Sequence, residues 1–365
     1  MTMPLPYLPS PFRIILWATA LAAIVGAAYS EMQVWQGGGR TIDLHGMTRG
    51  AVTGALIGVI LTSFDALVLN APLGAPLRRA PFAVHVAIKT AIYLGVILFA
   101  LRLGHDLVPT RANSSESGDV VFSLAAAFVF VFILDLNSLL GQNVLINFIT
   151  GRYYRPRLES RVFLFLDMEG STGFAERLGP LAFHRLVNRF VDDLTQPIIV
   201  ARGEIHRYIG DELIATWKLA EGIADGRCIA ACFAAVDQLA RRAPDYRREF
   251  GMAIAVRAGL HCGPVVTGEM GSVKREIVFL GDTVNTAARI QELCRQTGDR
   301  VLASADLIDQ LELPPGIAKC SLGDLRLRGK GTDLALYALT RAPPGAGRFD
   351  PKGRKIRLET PAASS

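Results

Sequence analysis

Four long apolar segments in the first 150 residues limit what this chain can fold into. They lie at residues 14–30, 51–70, 82–101 and 120–149, and they contain few charged side chains. A helix needs about 20 mostly apolar residues to cross a bilayer, with a range of roughly 17–25. The sequence therefore predicts an N-terminal α-helical membrane bundle with four spans, over residues 1–150.

Three of these segments contain isolated charges, at Asp65, Lys89 and Asp135. A charge is costly in hydrocarbon, so these side chains are expected to face the interior of the bundle. They could form a ligand or ion site, or they could be helix-packing contacts. Met1–Ser30 could instead be a cleaved signal peptide, because small residues follow its short apolar core. That alternative leaves the second half of the chain on the same side of the membrane.

The distribution of arginine predicts which side that is. Arg78 and Arg79 separate the second and third segments, and a further cluster begins at Arg152, directly after the fourth. Loops that stay in the cytoplasm carry an excess of Lys and Arg. The sequence therefore predicts a multi-pass protein of the inner cell membrane whose second half is cytoplasmic.

The net charge of +6 does not by itself predict a nucleic-acid-binding protein. No basic helix with interleaved aromatic residues is evident, and the basic surplus lies beside the apolar segments and in the C-terminal tail. This arrangement favours anionic membrane lipid as a partner, and no nucleic acid. All five cysteines occur from Cys228 onward without CxxC pairing, which indicates structural thiols in a reducing compartment.

The second half has the pattern of a globular domain. Residues 151–160 are predicted to be a juxtamembrane linker, 161–341 a folded domain and 342–365 a disordered tail rich in Pro, Gly, Ser and Lys. A buried strand is followed by a long amphipathic stretch, a hairpin, a second helix and another strand. This order predicts an α+β domain of the ferredoxin-like type (βααββαβ). The predicted elements are, in order, strand 161–166, helix 174–200, strands 204–209 and 213–217, helix 225–242, strands 253–260 and 276–280, helix 282–296, and strands 301–304, 319–322, 325–327 and 334–339.

Two aspartates end up close together in this arrangement. Asp167 ends the buried strand of "VFLFLDMEGST", and Asp211 lies in the turn of "RYIGDELIATW". Because the first strand lies beside the hairpin in a split βαβ fold, both carboxylates can converge on one edge of the sheet. Two hard carboxylates suit Mg²⁺, which takes one or two of them together with water and substrate phosphates. Taken alone, Asp211 is more often only a turn residue.

The residues after Asp167 form a short loop between a strand and a helix. Gly170, Ser171 and Thr172 would offer backbone N–H groups at the start of that helix, where phosphate groups bind readily. The loop alone is a weak signal. Together with the two aspartates it predicts a phosphate-binding site.

At this point the sequence resembles the class III nucleotidyl cyclases, the adenylyl and guanylyl cyclases, in their membrane-anchored bacterial form. The resemblance covers roughly half of the chain, and several separate segments match in the family's order. The matching segments are "FLFLDMEGSTGFAERLG", "RYIGDELIATW", "AGLHCGPVVTGEMG", "FLGDTVNTAARIQ" and "LRLRGKGTDLALYAL".

The resemblance implies a role for each site residue. Asp167 and Asp211 would hold two Mg²⁺ ions, which Mn²⁺ can replace, with the backbone carbonyl of Met168 as a further ligand. Asn285 would orient the ribose, and Arg289 would stabilise charge on the α-phosphate. Without the rest of the pattern, Arg289 on an exposed helix would be interpreted as a solvated charge.

The resemblance also implies an assembly. Lys330 would contact the terminal phosphates, with Arg328 as an alternative. The two aspartates would come from one chain and Asn285, Arg289 and Lys330 from the other. A homodimer would then have two equivalent sites about a two-fold axis, and a monomer would be inactive.

The positions that read the purine depart from the family pattern. Arg207 stands where adenylyl cyclases usually have Lys, and Val278 stands where Asp or Thr is common. A guanine reader would need a carboxylate near position 207, and none is evident in the neighbouring sequence. ATP is therefore favoured over GTP, and Lys274 or Glu276 could help to read the base.

The expected function is a membrane-bound adenylate cyclase that converts ATP to 3′,5′-cyclic AMP and pyrophosphate in intracellular signalling. It would use two metal ions at a homodimer interface. The alternatives are a guanylate cyclase and a catalytically silent cyclase-like signalling domain.

Overall fold

The computed structural model describes residues 11–36, 42–64, 82–108, 118–129, 144–327 and 333–342. The chain divides into two compact units, Met1–Leu139 and Leu140–Ser365. The domain bounds drawn from the sequence at residues 150 and 161 stay a prediction. Asp65, Asp135, Arg328 and Lys330, together with positions 343–365 of the tail, lie outside the described residues.

The described part of the first unit is helical. It contains α1 (Pro11–Gln36), α2 (Leu44–Ser63), α3 (Phe82–Leu107) and α4 (Gly118–Val129). Within the described residues, three helices are long and apolar enough to cross a membrane. They are Ile15–Gln36, Leu44–Ser63 and Ile88–Leu107.

The predicted spans differ from the helices. Helix α1 extends beyond residues 14–30 at both ends, and α3 continues past residue 101 to Leu107. The second was predicted at residues 51–70, but α2 begins at Leu44, because Arg49 is buried within the unit and its charge does not exclude it from the helix. The fourth was predicted at residues 120–149. Only α4 and a short helix α5 (Val144–Ile149) of that segment are described, so a fourth span stays a prediction.

The second unit alternates strands with helices. Its elements are β1 (Arg157–Met168), α6 (Ser171–Leu178), α7 (Pro180–Val200), β2 (Glu204–Ile209), β3 (Glu212–Lys218), α8 (Leu219–Ile223), α9 (Arg227–Phe250), β4 (Val256–Met270), β5 (Glu276–Leu280), α10 (Asp282–Thr297), β6 (Val301–Ser304), α11 (Ala305–Ile308), β7 (Ile317–Arg326) and β8 (Asp333–Arg341).

The strands form one mixed sheet of eight strands, in the order β2-β3-β1-β4-β6-β8-β7, with β5 paired to β4. Strand β1 runs antiparallel to both β3 and β4, whereas β4 and β6 are parallel. The predicted position of the first strand beside the hairpin is confirmed. The ferredoxin-like label stays an interpretation of the first four strands, because the sheet continues through β6, β8 and β7.

Strand β1 is buried on both faces, which explains its unbroken apolar sequence. Val162, Leu164 and Leu166 face the large core formed with α7 and α9. Phe163 and Phe165 face the opposite side, where they form a smaller core with β5 and α10. The sheet therefore lies between two helical layers, and β1 is held rigidly at its centre.

A glycine allows α10 to cross closely over this sheet. Gly259 of β4 pairs with Phe165 of β1 on the face that α10 covers. A Cβ at this position would lie 2.4 Å from the backbone nitrogen of Gln291 and 2.7 Å from the carbonyl oxygen of Ala287. Only glycine fits, and the close approach fixes the height of α10 above β1.

We expect Gly259→Ala to lower the free energy of unfolding by about 1–3 kcal/mol, because α10 must move outward. The midpoint of thermal unfolding of the full-length protein should fall by at least about 2 °C. The fluorescence of Trp217 would report it, with Trp17 and Trp35 both replaced by Phe. The control is Gly173→Ala in α6, since its Cβ would meet no described atom within 4 Å. Equal midpoints for the two variants would contradict the packing argument.

Several element bounds differ from the prediction for local reasons. The helix predicted over residues 174–200 is two helices, because Gly179 has φ +72° and Pro180 starts the second one. Helix α9 continues through Pro244 to Phe250, beyond the predicted end at residue 242. The strands predicted at residues 319–322 and 325–327 are one strand, β7, with a register shift between Ser321 and Gly323. Helix α10 begins at Asp282, as predicted, and Gly281 is its N-cap residue.

Candidate active site

Two predicted metal ligands meet at the end of β1. Asp167 pairs in register with Glu212, the first residue of β3, and Asp211 directly precedes it in the turn. Burial raises the pKa of Asp167, and the negative charge of Asp211 raises it further. The pair that the sequence predicted is therefore brought together, in a place where two negative charges are unfavourable.

The carboxylate of Asp211 is incompletely hydrogen-bonded among the described residues. Its Oδ2 atom is buried and has no hydrogen-bond partner among the described residues. Burial, followed by the charges of Asp167, Asp211 and Glu292, raises the pKa of Glu212 to about 7. An orphaned buried oxygen within repelling carboxylates fits a hard divalent cation. Within the described residues, no third His, Cys, Asp or Glu completes a metal-binding group with the pair.

Helix α10 presents two polar side chains to Asp167 that sequence reasoning missed. Gln291 donates a hydrogen bond from Nε2 to Oδ2 of Asp167 at 3.3 Å, and Arg295 lies 3.7 Å from the same oxygen. Both interactions favour the ionised carboxylate and partly offset its burial. Their spacing of four residues on one helix was the available signal.

Asn285 and Arg289 lie on a different face of α10. At 3.6 residues per turn, Arg289 is about 160° and Asn285 about 120° around the axis from Gln291. Asn285 is exposed and Arg289 half-buried, and within the described part of the chain neither side chain makes a hydrogen bond or ion pair. The structure therefore brings the two aspartates together but does not bring Asn285 and Arg289 to them.

The predicted phosphate loop connects β1 to α6. Gly170 has φ +78° and precedes α6, whose N-terminus has no side-chain cap. The backbone N–H groups of Ser171 and Thr172 are therefore not used by a capping side chain. Glu169 is held by Arg257 at 2.9 Å and by Arg300 at 3.6 Å. This fixes the loop immediately beside Asp167.

One predicted base-reading residue, Arg207, contacts a carboxylate that its own strand does not provide. Arg207 of β2 forms an ion pair with Glu276 of β5 at 2.6 Å, and Lys274 contacts the other oxygen of Glu276 at 2.6 Å. The expectation that no carboxylate lies near position 207 is therefore wrong, because the contact is made across the sheet by β5. Val278 is half-buried on β5 opposite Gly268.

A neutral histidine, His206, lies beside this cluster. Burial, followed by the charges of Arg207 and Arg161, lowers the pKa of His206 to about 4. Its ring packs edge-on against Phe279 with centroids 4.7 Å apart, and the buried guanidinium of Arg161 stacks on the same ring at 4.6 Å. Strand β5 is thus attached to β1 through Arg161 and to β2 through His206, because both side chains pack against Phe279.

Comparison with known proteins identifies the family of the second unit. A family model described as the adenylate and guanylate cyclase catalytic domain matches residues 154–341. Adenylate cyclase 2 of Rhizobium meliloti (strain 1021) is 36% identical over 247 residues, which make up 67% of this chain and 68% of that protein. The adenylate cyclase of Anabaena cylindrica is 31% identical over 183 residues, which make up 47% of this chain and 35% of that protein.

A solved structure has the same fold. A bacterial light-regulated adenylyl cyclase superposes with a TM-score of 0.53 at 22% identity, over 63% of this chain and 66% of that one. At this identity the likeness concerns the fold alone. The family match, in contrast, covers more than half of the chain.

Proposed function

Because the chain belongs to the family of the adenylate and guanylate cyclase catalytic domain, we propose that it converts ATP to 3′,5′-cyclic AMP and pyrophosphate in intracellular signalling. The observation that carries the proposal is the half-buried pair Asp167 and Asp211, with the orphaned Oδ2 atom of Asp211, beside an uncapped helix start. The relatives named adenylate cyclase support the choice of reaction.

Asp167 and Asp211 would hold two Mg²⁺ ions, or Mn²⁺, with the backbone carbonyl of Met168 as a further ligand. Bound metal supplies positive charge that activates the ribose 3′-hydroxyl and neutralises the phosphates. Gln291 and Arg295 favour the ionised form of Asp167 and partly offset the effect of its burial. Gly170, Ser171 and Thr172 would bind phosphate oxygens through backbone N–H groups.

The remaining groups would act on the nucleotide from a second copy of the chain. Arg289 would meet the α-phosphate with two parallel N–H donors, which suits the charge that develops during attack. Asn285 would hold the ribose, and Lys330 the terminal phosphates. The 3′-hydroxyl gives its proton to solvent and its oxygen bonds to the α-phosphorus. The bond from that phosphorus to the bridging oxygen breaks, and pyrophosphate leaves with the bridging oxygen.

The faces of α10 support this division between two copies. Gln291 and Arg295 already occupy the face turned toward Asp167 of the same chain. Asn285 and Arg289 point away from it. A two-fold homodimer would let this outer face complete the partner's site, so that each dimer has two sites and a monomer has none.

We propose that the apolar helices of the first unit anchor the protein in the inner membrane. The three helices long enough to span support this, with bilayer lipid as their surroundings. The arginines on the N-terminal side of β1 favour a cytoplasmic position for the second unit.

ATP is the proposed nucleotide. Arg207 would donate to adenine N1, and Glu276, held between Arg207 and Lys274, would accept from the exocyclic amino group. Glu276 thus supplies the acceptor that Val278 lacks. The same carboxylate also supports a second candidate, a guanylate cyclase, because it could accept from guanine N1–H and the 2-amino group.

Membranes containing the full-length chain, assayed with ATP and with GTP in the presence of Mg²⁺ or Mn²⁺, test the proposal. We expect cyclic AMP as the main product. Preference for GTP would favour the guanylate cyclase. Absence of both products, with a dimer demonstrated by cross-linking, would favour a catalytically silent domain.

We expect Glu276→Ala to lower kcat/KM for ATP by about 10- to 100-fold and to reduce discrimination between ATP and GTP, because a purine amino group loses its acceptor. Steady-state kinetics with both nucleotides measures this. Glu221→Ala is a matched control, since Glu221 is also an ion-paired surface glutamate, 3.7 Å from Lys218. If Glu276→Ala behaves like this control, Glu276 does not read the base.

A further inference from the structure

A cavity of about 590 Å³ lies among the helices of the first unit. All four described helices contribute to its wall. Pockets that bind small molecules typically have volumes of about 300–1,000 Å³, with mostly apolar walls and a few converging polar groups. The volume and position of this cavity therefore suit a small ligand.

The wall of the cavity has an apolar part and a polar end. The apolar part comes from the middle of α1 and α2, and includes Leu21, Val25, Ile57 and Leu61. The polar end is formed where α1 and α3 finish and where α2 and α4 begin. Its side chains are Tyr29, Ser30, Arg49, Thr53, Arg102, His105, Asp106 and Asp119.

Asp119 at this end already has a protein partner. Gln33 donates from Nε2 to Oδ1 of Asp119 at 2.8 Å and to the hydroxyl of Tyr29 at 2.8 Å. The ring of Tyr29 stacks on Phe122 of α4 with centroids 3.7 Å apart. These contacts join α1 to α4 and give the polar end a fixed wall.

Arg49 is the buried charge of the wall. It is 9% exposed, whereas Arg102, His105 and Asp106 are exposed. A guanidinium stays protonated and carries five N–H donors in a fixed fork, so it can bind a ligand carboxylate in addition to a protein partner. Burial in an apolar setting strengthens such a pair.

We propose that this cavity binds a single-chain amphiphilic carboxylate, with its head group on Arg49 and its apolar chain along Leu21, Val25, Ile57 and Leu61. The volume is that of a small molecule, which favours one acyl chain over the two of a phospholipid. The site lies wholly within the first unit, so the inference does not depend on the proposed catalytic activity.

Equilibrium binding of radiolabelled decanoate to the full-length chain in phosphatidylcholine nanodiscs tests the proposal. We expect saturable binding above that of empty nanodiscs, and displacement by decanol at least about tenfold weaker than by decanoate. Decanol has the same chain without the charge, so equal displacement would overturn recognition by Arg49. Absence of saturable binding would overturn the site itself.

Variants locate the binding. Arg49→Gln should weaken decanoate binding at least about tenfold, and Ala126→Phe should abolish it by filling the cavity from α4. Lys89→Gln is the matched control, since Lys89 is a buried cation of the same unit that does not line the cavity. Size-exclusion chromatography verifies that each variant is folded. Arg49→Lys keeps the positive charge and should therefore bind decanoate more tightly than Arg49→Gln, which tests the head-group contact a second time.

The outcomes are distinguishable. Weaker binding by both Arg49→Gln and Ala126→Phe, with Lys89→Gln unchanged, supports the assignment. Unchanged binding by folded Arg49→Gln or folded Ala126→Phe overturns it. Loss of decanoate binding in nanodiscs that contain phosphatidylglycerol would show that a membrane phospholipid occupies the cavity, and would overturn the assignment to a single-chain ligand.

Discussion

Replacing Asp167 by asparagine is expected to lower cyclic AMP formation by roughly three orders of magnitude or more, while the protein stays folded. The amide keeps the size of the side chain but removes the charge that would hold metal, and with it most of the charge stabilisation of the reaction. Assays of the full-length chain in membranes would measure the loss. Asp225→Asn is the control, because that carboxylate is exposed and forms an ion pair with Arg227.

The same substitution has a second readout that is independent of catalysis. Burial and the charge of Asp211 raise the pKa of Asp167, so the ionised carboxylate destabilises the metal-free fold. For an acid whose pKa is raised on folding, stability is lost as pH rises through the folded-state value. At pH 7 without metal, Asp167→Asn should therefore unfold at the same temperature as the parent or higher.

Added Mg²⁺ separates the two explanations for a loss of activity. The parent protein should gain thermal stability with Mg²⁺, because a ligand that binds only the folded state stabilises it. Asp167→Asn should gain little. If Mg²⁺ stabilises both proteins equally, Asp167 is not a metal ligand, whatever happens to the activity.

The centre of the fold and half of the site could be predicted from the sequence. The unbroken apolar run of β1 indicates a strand covered on both faces, and the Gly210-Asp211 turn places the second carboxylate beside its end. These features depend on residues that are close in sequence or on a simple strand order. The apolar pattern of each element and the predicted order of the strands were enough to find them.

Contacts between distant elements could not be predicted in the same way. Glu276 reaches Arg207 because β5 turns back along the end of β4 and packs through Phe279 over the face of β1. Gln291 reaches Asp167 because Gly259 lets α10 approach the sheet. Both depend on the height and direction of one element above another, which periodicity does not contain. The break at Gly179 was a local signal that the continuous apolar pattern concealed.

Mixing two inactive variants is expected to restore activity if each site is shared between two copies. Asp167→Asn disables the metal half of a site, and Arg289→Ala disables the half contributed by the outer face of α10. In a mixed dimer one site collects both defects, and the other receives an intact Asp167 and an intact Arg289. Half of randomly formed dimers are mixed, and one of their two sites is intact, so roughly a quarter of the parent activity should return.

The test co-expresses the two full-length variants in membranes and measures cyclic AMP formation. A second pair of variants serves as the control. Asp167→Asn combined with Asp211→Asn should recover nothing, because both defects lie in the same half and every mixed site keeps one of them. Differently tagged chains verify by co-purification that mixed dimers form. Recovery in the first pair and not in the second requires that Arg289 of one chain acts in the same site as Asp167 of the other chain. Equal behaviour of the two pairs would mean that the outer face of α10 does not complete a neighbouring site.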